Sequence, residues 1–240
     1  MIISQCSQTF FEANCYVIAA EAGSEALVVD PGAGAAAWVP GELARLGCTV
    51  GAVLLTHGHA DHLWDSAVVA GDAPVYLAGP DFYRADDPLA QLNMPGVALG
   101  FKRMGASEQW VRPKGLTRLP HEIFSQTVEL VPNIPMRAVA TPGHTEGSAV
   151  FLFAGAVRDA FAEALITDEE RSYMLSGDVL FAGSVGRTDL PGGDQREMEA
   201  SLRFLVNVIK PDTFVLPGHG APTTMFHETR HNQYVHAAMS

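Results

Sequence analysis

Thr56-His57-Gly58-His59-Ala60-Asp61-His62 places three imidazoles and a carboxylate within six residues, directly after the apolar run Val50-Gly51-Ala52-Val53-Leu54-Leu55. A continuous apolar run of this length reads as a buried strand. The cluster therefore falls where a rigid strand hands over to a loop, a place that holds side chains in fixed geometry. Neutral imidazole and carboxylate are donors that suit zinc, iron or manganese. The alternative is a polar turn that happens to be rich in histidine, but so dense a His-x-His-x-Asp-His spacing favours a metal site.

The same design recurs further along. Val139-Ala140-Thr141-Pro142-Gly143-His144 is an apolar run ending in a tight turn and a histidine. Tyr173-Met174-Leu175-Ser176-Gly177-Asp178 repeats it with an aspartate, and Phe214-Val215-Leu216-Pro217-Gly218-His219-Gly220 with a histidine. Glycine permits the sharp turn and lets the backbone crowd a small site. Taken singly, His144, Asp178 and His219 read as turn residues or satisfied polar groups. Repeated in one chain, they point to a shared site.

With these residues in view, the chain resembles the metallo-β-lactamase superfamily of metallohydrolases, from the Asp30-Pro31-Gly32 turn to Gly218-His219-Gly220. The stretches Pro142-Gly143-His144-Thr145-Glu146-Gly147-Ser148, Gly177-Asp178-Val179-Leu180-Phe181 and Gly186-Arg187-Thr188-Asp189, with the His57–His62 run, resemble its glyoxalase II branch. The resemblance implies an α/β (α+β) protein, a four-layer αββα sandwich with metals at one edge of the sheets. It implies two divalent ions, zinc as the first expectation and iron or manganese as alternatives. His57, His59 and His144 would hold one ion; Asp61, His62 and His219 the other; Asp178 would bridge them. Asp61 and Asp178 would thus serve catalysis as well as ligation. Two dications, less the charges of Asp61, Asp178 and a bridging hydroxide, leave about one positive charge, which suits a developing oxyanion.

Metal binding lowers the pKa of water from about 15.7 to roughly 7, so attack by metal-bound hydroxide needs no seryl nucleophile. Ser148 and Ser176, near the motifs, are expected to be structural. An amine or alkoxide usually needs a proton on departure, whereas a thiolate, with a conjugate pKa near ~8.5, leaves unaided. No spare Lys, Tyr or Glu stands beside the ligands as an obvious acid, and Thr145 and Glu146 are expected to shape the turn. The expected reaction is hydroxyacylglutathione hydrolase-like cleavage of a small-molecule thioester. Typical two-domain members of that branch carry a helical C-terminal domain that helps bind glutathione. Here about one helix's worth of chain follows His219, which resembles the shorter single-domain members and leaves the thiol carrier open. The competing readings are a persulfide dioxygenase with one iron on His57, His144 and Asp178, and a phosphodiesterase.

Composition bounds these readings. With 48% hydrophobic and 18% charged residues in 240, the chain is globular, and one domain over 1–240 is expected. A net charge of −12 opposes binding to nucleic acid or an anionic membrane, and so disfavours a polyanionic substrate. No apolar stretch approaches the roughly 18–20 residues of a membrane span, and the N-terminus has no basic leader-like region. Cys6, Cys15 and Cys48 match no thiolate metal motif, so unpaired thiols in a reducing cytoplasm are expected.

Strands are expected near 14–20, 26–29, 50–55, 75–77, 128–131, 136–140, 148–153, 174–175 and 213–216. Helices are expected over 38–46, with Gly47 as a stop, and over 61–70, 197–208 and 227–236. Residues 81–127 lack a strand pattern, and a connection that long is functional or carries its own helices. Residues 155–172 read as an exposed short helix or mobile loop. Residues 101–118 carry Lys102, Arg103, Arg112, Lys114 and Arg118 against Glu108 alone, interleaved with Phe101 and Trp110. Lys102 and Arg103 are therefore candidate substrate-binding residues at a pocket mouth suited to an anionic thiol carrier, with a solvated loop as the alternative. Arg187 is a third candidate, either binding a substrate carboxylate or anchoring its loop.

Overall fold

Thirteen strands and seven α-helices form among the described residues, which are all but Thr9, Asn93 and Pro95 in this computed structural model. The strands are β1 Ile2–Ser7, β2 Asn14–Ala19, β3 Glu25–Val29, β4 Thr49–Leu54, β5 Val75–Leu77, β6 Leu116–Arg118 and β7 Val128–Glu129. They continue with β8 Pro135–Ala140, β9 Ala149–Gly155, β10 Asp159–Ala160, β11 Arg171–Gly177, β12 Phe214–Pro217 and β13 Thr223–Thr224. The helices are α1 Ala35–Leu46, α2 Ala60–Leu63, α3 Ser66–Ala70, α4 Val97–Met104, α5 Gln195–Val208, α6 Met225–His231 and α7 Gln233–Met239.

One sheet runs β10-β1-β2-β3-β4-β5-β6 and the other β13-β12-β11-β9-β8-β7. The central strands are apolar on both faces because both faces are covered. Ile18, Leu27, Leu54, Phe151, Tyr173 and Leu216 meet between the sheets. Val17, Val28 and Val53 face outward onto Val39, Leu43 and Leu46 of α1. On the far side Val150, Met174 and Val215 receive Met198, Leu202 and Leu205 of α5 and Val235 of α7. Helix, sheet, sheet, helix is thus the layer order, the expected αββα arrangement. Burying each such side chain contributes about 1.5–3 kcal/mol relative to exposure.

Helix boundaries follow local chemistry. Gly47, at φ 67°, ends α1 as expected. The helix expected over 61–70 is broken into α2 and α3 at Trp64-Asp65. The buried Asp65 carboxylate accepts from the amides of Gly34 and Ala36, which open α1, and of Ala106. The 227–236 helix is broken at Asn232, whose side chain caps α7 by accepting from Tyr234 and Val235 amides.

Residues 155–172 include the exposed short helix expected of them, a 3₁₀ turn over Glu163–Leu165 with Glu163 and Ala164 exposed, but the segment is tied to the fold rather than mobile. β10 pairs with β1 in parallel, and Leu165 is buried in the central core. The acidic residues lie outward while a few apolar ones hold the segment down. The 81–127 connection carries α4 and β6, with a 3₁₀ turn over Gly79–Ala85 at its start. No helix among the described residues is long and apolar enough to cross a membrane.

Candidate metal centre

Every expected ligand sits just past the C-terminal end of a strand: His57, His59, Asp61 and His62 past β4, His144 past β8, Asp178 past β11, and His219 past β12. The first sheet supplies four and the second three. Three overlapping sets bring their ligand atoms within 4.8 Å of one another: His57, His59 and His144; His57, His62 and Asp178; Asp61, His62 and His219.

In the first set His57 Nε2 lies 3.1 Å from His59 Nδ1, which lies 2.9 Å from His144 Nε2. In the last set His62 Nε2 and His219 Nε2 are 3.3 Å apart, and Asp61 Oδ2 is 3.6 and 3.5 Å from them. Asp178 stands between the sets. Its Oδ2 is 3.4 Å from His144 Nε2 and 3.3 Å from His219 Nε2, and its Oδ1 is 3.3 Å from His62 Nε2.

Hydrogen bonds outside the cluster turn the lone pairs inward. His144 Nδ1–H donates to the Arg187 carbonyl at 2.7 Å, and His62 Nδ1–H to Asp30 Oδ2 at 3.0 Å. The Thr56 hydroxyl donates to Asp30 Oδ2, so its oxygen accepts from His57 Nδ1–H at 3.1 Å. Such outer partners fix the tautomer and orientation of metal-ligating imidazoles. Among His57, His59 and His144, inward nitrogens without protons between them repel at these distances, and Asp178 Oδ1 is buried without a hydrogen-bond partner. A pair of divalent cations satisfies both features, and the all-nitrogen-and-oxygen donor set fits zinc, iron or manganese.

The charges divide along the same line. Burial, with His62 and His144 nearby, holds His57 well below the ordinary imidazole range, and burial with His144 brings His59 to about 3. Burial opposes a charge on His62, but Asp178, Asp61 and Asp30 outweigh it and raise His62 well above that range. At His219 burial is likewise outweighed by Asp178 and Asp61, and the pKa rises to about 10.

Supporting residues missed by the sequence reading hold this geometry. Asp30, at φ 51°, accepts from the Thr56 amide and hydroxyl as well as His62. Asp81 is fully buried and accepts from the Gly58 and Gly147 amides and the Thr145 hydroxyl, all at 2.7 Å, and from Arg84 Nε at 3.2 Å. It joins the turn carrying His57 and His59 to the turn carrying His144. Glu146 pairs with Arg84 at 2.5 Å, and Ser148 bonds Thr145, so both belong to the turn as expected. Ser176 donates to the Leu180 carbonyl. Both aspartates follow apolar strands, Asp30 directly in Leu27-Val28-Val29-Asp30 and Asp81 four residues past β5 in Tyr76-Leu77-Ala78-Gly79-Pro80-Asp81, which is the signal that could have found them.

A cavity of about 190 Å³ opens over the cluster, lined by five of the expected ligands together with Phe11, Leu92, Met94, Phe181, Leu190 and Arg187. Arg187 forms a bidentate pair with Asp189, both bonds 2.7 Å. Lys102 and Arg103 are exposed on α4 and are not among the residues lining the cavity. From the same stretch, Phe101 is buried against Trp64, Arg112 pairs with Asp86, and Arg118 lies over Phe82. A second groove, about 400 Å³, lies between Pro135–Arg137 and Val208–Lys210, at the sheet edge away from the ligands.

A binuclear-type His/Asp cluster at the strand ends of an αββα sandwich defines a metallohydrolase class. The chain belongs to the metallo-beta-lactamase superfamily, whose family model matches residues 9–158. It is 34% identical over 237 residues to an uncharacterized protein of Mycobacterium tuberculosis, covering 98% of each chain. It is 28% identical over 231 residues to the hydroxyacylglutathione hydrolase GloC of Haemophilus influenzae, covering 95% of each, which fits the glyoxalase II-like branch. Among solved structures it is similar to the BLEG-1 B3 metallo-beta-lactamase, with a TM-score of 0.73, 29% identity and 98% and 99% of the two chains covered. It is also similar to TTHA1623 in a di-iron-bound form, with a TM-score of 0.69, 30% identity and 96% and 98% covered.

Proposed function

We propose that this protein is a thioester hydrolase of the glyoxalase II type, acting in a reducing cytoplasm on a small-molecule thioester with two divalent cations, zinc first among them. The observation that carries the reading is Asp178, poised between the His57–His59–His144 set and the Asp61–His62–His219 set. A single iron on His57, His144 and Asp178 would leave His219 outside its set, although His219 converges with Asp61 and His62. When bound, two such ions supply hydroxide at neutral pH and polarise the substrate carbonyl.

The chain's own residues do the rest. His57, His59 and His144 would hold one ion, Asp61, His62 and His219 the other, and Asp178, between the two sets, would reach both. Asp30 and the Arg187 carbonyl orient His62 and His144. Among the described residues lining the cavity, the titratable side chains are ligands and Arg187. That lining suits a leaving group that departs without a proton, as a thiolate does. Cys6, Cys15 and Cys48 are unpaired, in keeping with a reducing compartment.

The test combines metal analysis of protein purified without added metal with thiol release from acyl thioesters. About two metals per chain, and a loss of about a hundredfold or more in His219→Ala, is the expected result, since the second ion's place is emptied. One iron per chain, with oxygen uptake on a persulfide substrate that survives His219→Ala, would replace the hydrolase by a dioxygenase.

A further inference from the structure

The loop between β1 and β2 carries two consecutive residues in the left-handed region, Phe11 at φ 61° and Glu12 at φ 56°. That backbone state is costly for a bulky residue and persists where the surroundings impose it. Here the Gln8 amide bonds the Ala13 carbonyl across the turn at 2.9 Å. The Phe10 ring stands edge-on to Phe101, centroids 4.8 Å apart, and lies on Gly100, where a methyl group would come within 2.1 Å of it. Phe10 thus pins the turn to α4. Phe11 packs on Phe10 at 4.5 Å and on Phe101 at 6.0 Å, yet keeps 39% of its surface exposed at the metal-centre cavity. Phe181, edge-on to His219 at 5.8 Å, lines the same cavity.

The cavity's volume and lining restrict what it can hold. About 190 Å³ falls below the roughly 300–1,000 Å³ of pockets that enclose a drug-sized ligand. With the ion places lying within it, the enclosed space suits an acyl group of a few carbons, and a peptide-like thiol would extend beyond it. Apart from the ligands, the described walls are apolar, and the one cation, Arg187, is already neutralised by Asp189.

We propose that Phe11 determines acyl specificity: the cavity takes the short, uncharged, apolar acyl group of a thioester against the Phe11 ring and leaves the thiol carrier in solvent, without recognition of its charge. This rests on the thioester-hydrolase reading for its reaction, and on the cavity alone for its ligand.

The experiment has a catalytic and a binding arm. Butanoyl and lactoyl thioesters are compared on glutathione and on the neutral thiol N-acetylcysteamine, with wild type, Phe11→Ala and Phe11→Leu at equal metal content. Expected is a preference for butanoyl over lactoyl on either thiol, with kcat/KM differing less than about threefold between thiols. Phe11→Ala loses about 10- to 30-fold toward butanoyl but about threefold or less toward lactoyl, and Phe11→Leu recovers most of the loss. Calorimetry with non-hydrolysable S-methyl to S-pentyl ethers of N-acetylcysteamine should show affinity rising with chain length in wild type and flat in Phe11→Ala. A flat binding series in wild type, lactoyl preferred over butanoyl, or a strong preference for the anionic thiol, overturns the proposal. If no thioester is cleaved, the hydrolase reading falls, while the ether series still decides whether Phe11 selects an apolar chain.

Discussion

Removing the Asp81 carboxylate is expected to loosen the first ligand set and lower stability together. Asp81→Ala leaves the Gly58 and Gly147 amides buried without an acceptor. The other two partners keep alternatives: the Thr145 hydroxyl is 2.8 Å from Ser148 Oγ, and Arg84 retains Glu146 and the Pro191 carbonyl. Two orphaned amides at about 1–3 kcal/mol each, with a weakened buried ion pair, give a cost of about 4 kcal/mol. For a chain of this size that is a fall of about 8–16 °C in Tm, at about 2–4 °C per kcal/mol. Because Asp81 ties both turns of the first ligand set, metal affinity should also fall by about 10- to 100-fold. Asp81→Asn, which keeps one acceptor oxygen but turns an NH₂ toward an amide, should show about half the stability loss. Calorimetric unfolding and metal titration of the purified variants supply the measurements. A Tm lowered by less than about 3 °C, with metal affinity intact, would show that Asp81 does not brace the site.

Other consequences are as specific. Asp178→Ala should strip more metal than His219→Ala, because Asp178 reaches atoms of both sets; equal or greater retention in Asp178→Ala by mass spectrometric metal analysis would count against a bridging position. Gly218→Ala should lose metal by about tenfold or more in affinity: the added methyl would stand 2.2 Å from Asp178 Oδ1 and 2.9 Å from His62 Cε1. Its circular dichroism should match wild type, and undiminished metal binding would mean the approach is not so close. Arg187→Lys exchanges a bidentate fork for a point charge in an exposed pair. Tm and metal content should stay within error, and a change in kcat/KM of less than about threefold is expected if Arg187 is not a substrate anchor.

The strand ends that converge on the candidate metal centre were legible in the sequence because each couples an apolar run to glycine and a donor within a few residues. That signal is local, so it survives without knowledge of the fold. What was not legible depends on distant partners. β1, with Ser4 and Gln5 among its residues, is recruited by pairing with β2 and β10. Asp65 interrupts an otherwise helical pattern because amides some thirty residues earlier need an acceptor. The basic stretch drew attention to residues 101–118 through charge, whereas their link to the cavity is the apolar Phe101 that supports Phe10. Phe11 gave no signal, since its role arises from a backbone conformation and a neighbouring helix.

The spread of ligands along the chain sets an order of events during synthesis. His57, His59 and His144 are present once residue 144 has emerged, but His219 follows 75 residues later, 219 minus 144. At about 5–20 residues per second, some 4–15 seconds separate a possible first set from a possible second. During that interval β12, which pairs in parallel with β11 and carries His219 into place, is still unmade. A nascent chain can therefore offer three imidazoles to passing ions well before the pair of places exists. Completion of the paired site is then a matter of timing as well as of sequence, settled when the last strand docks.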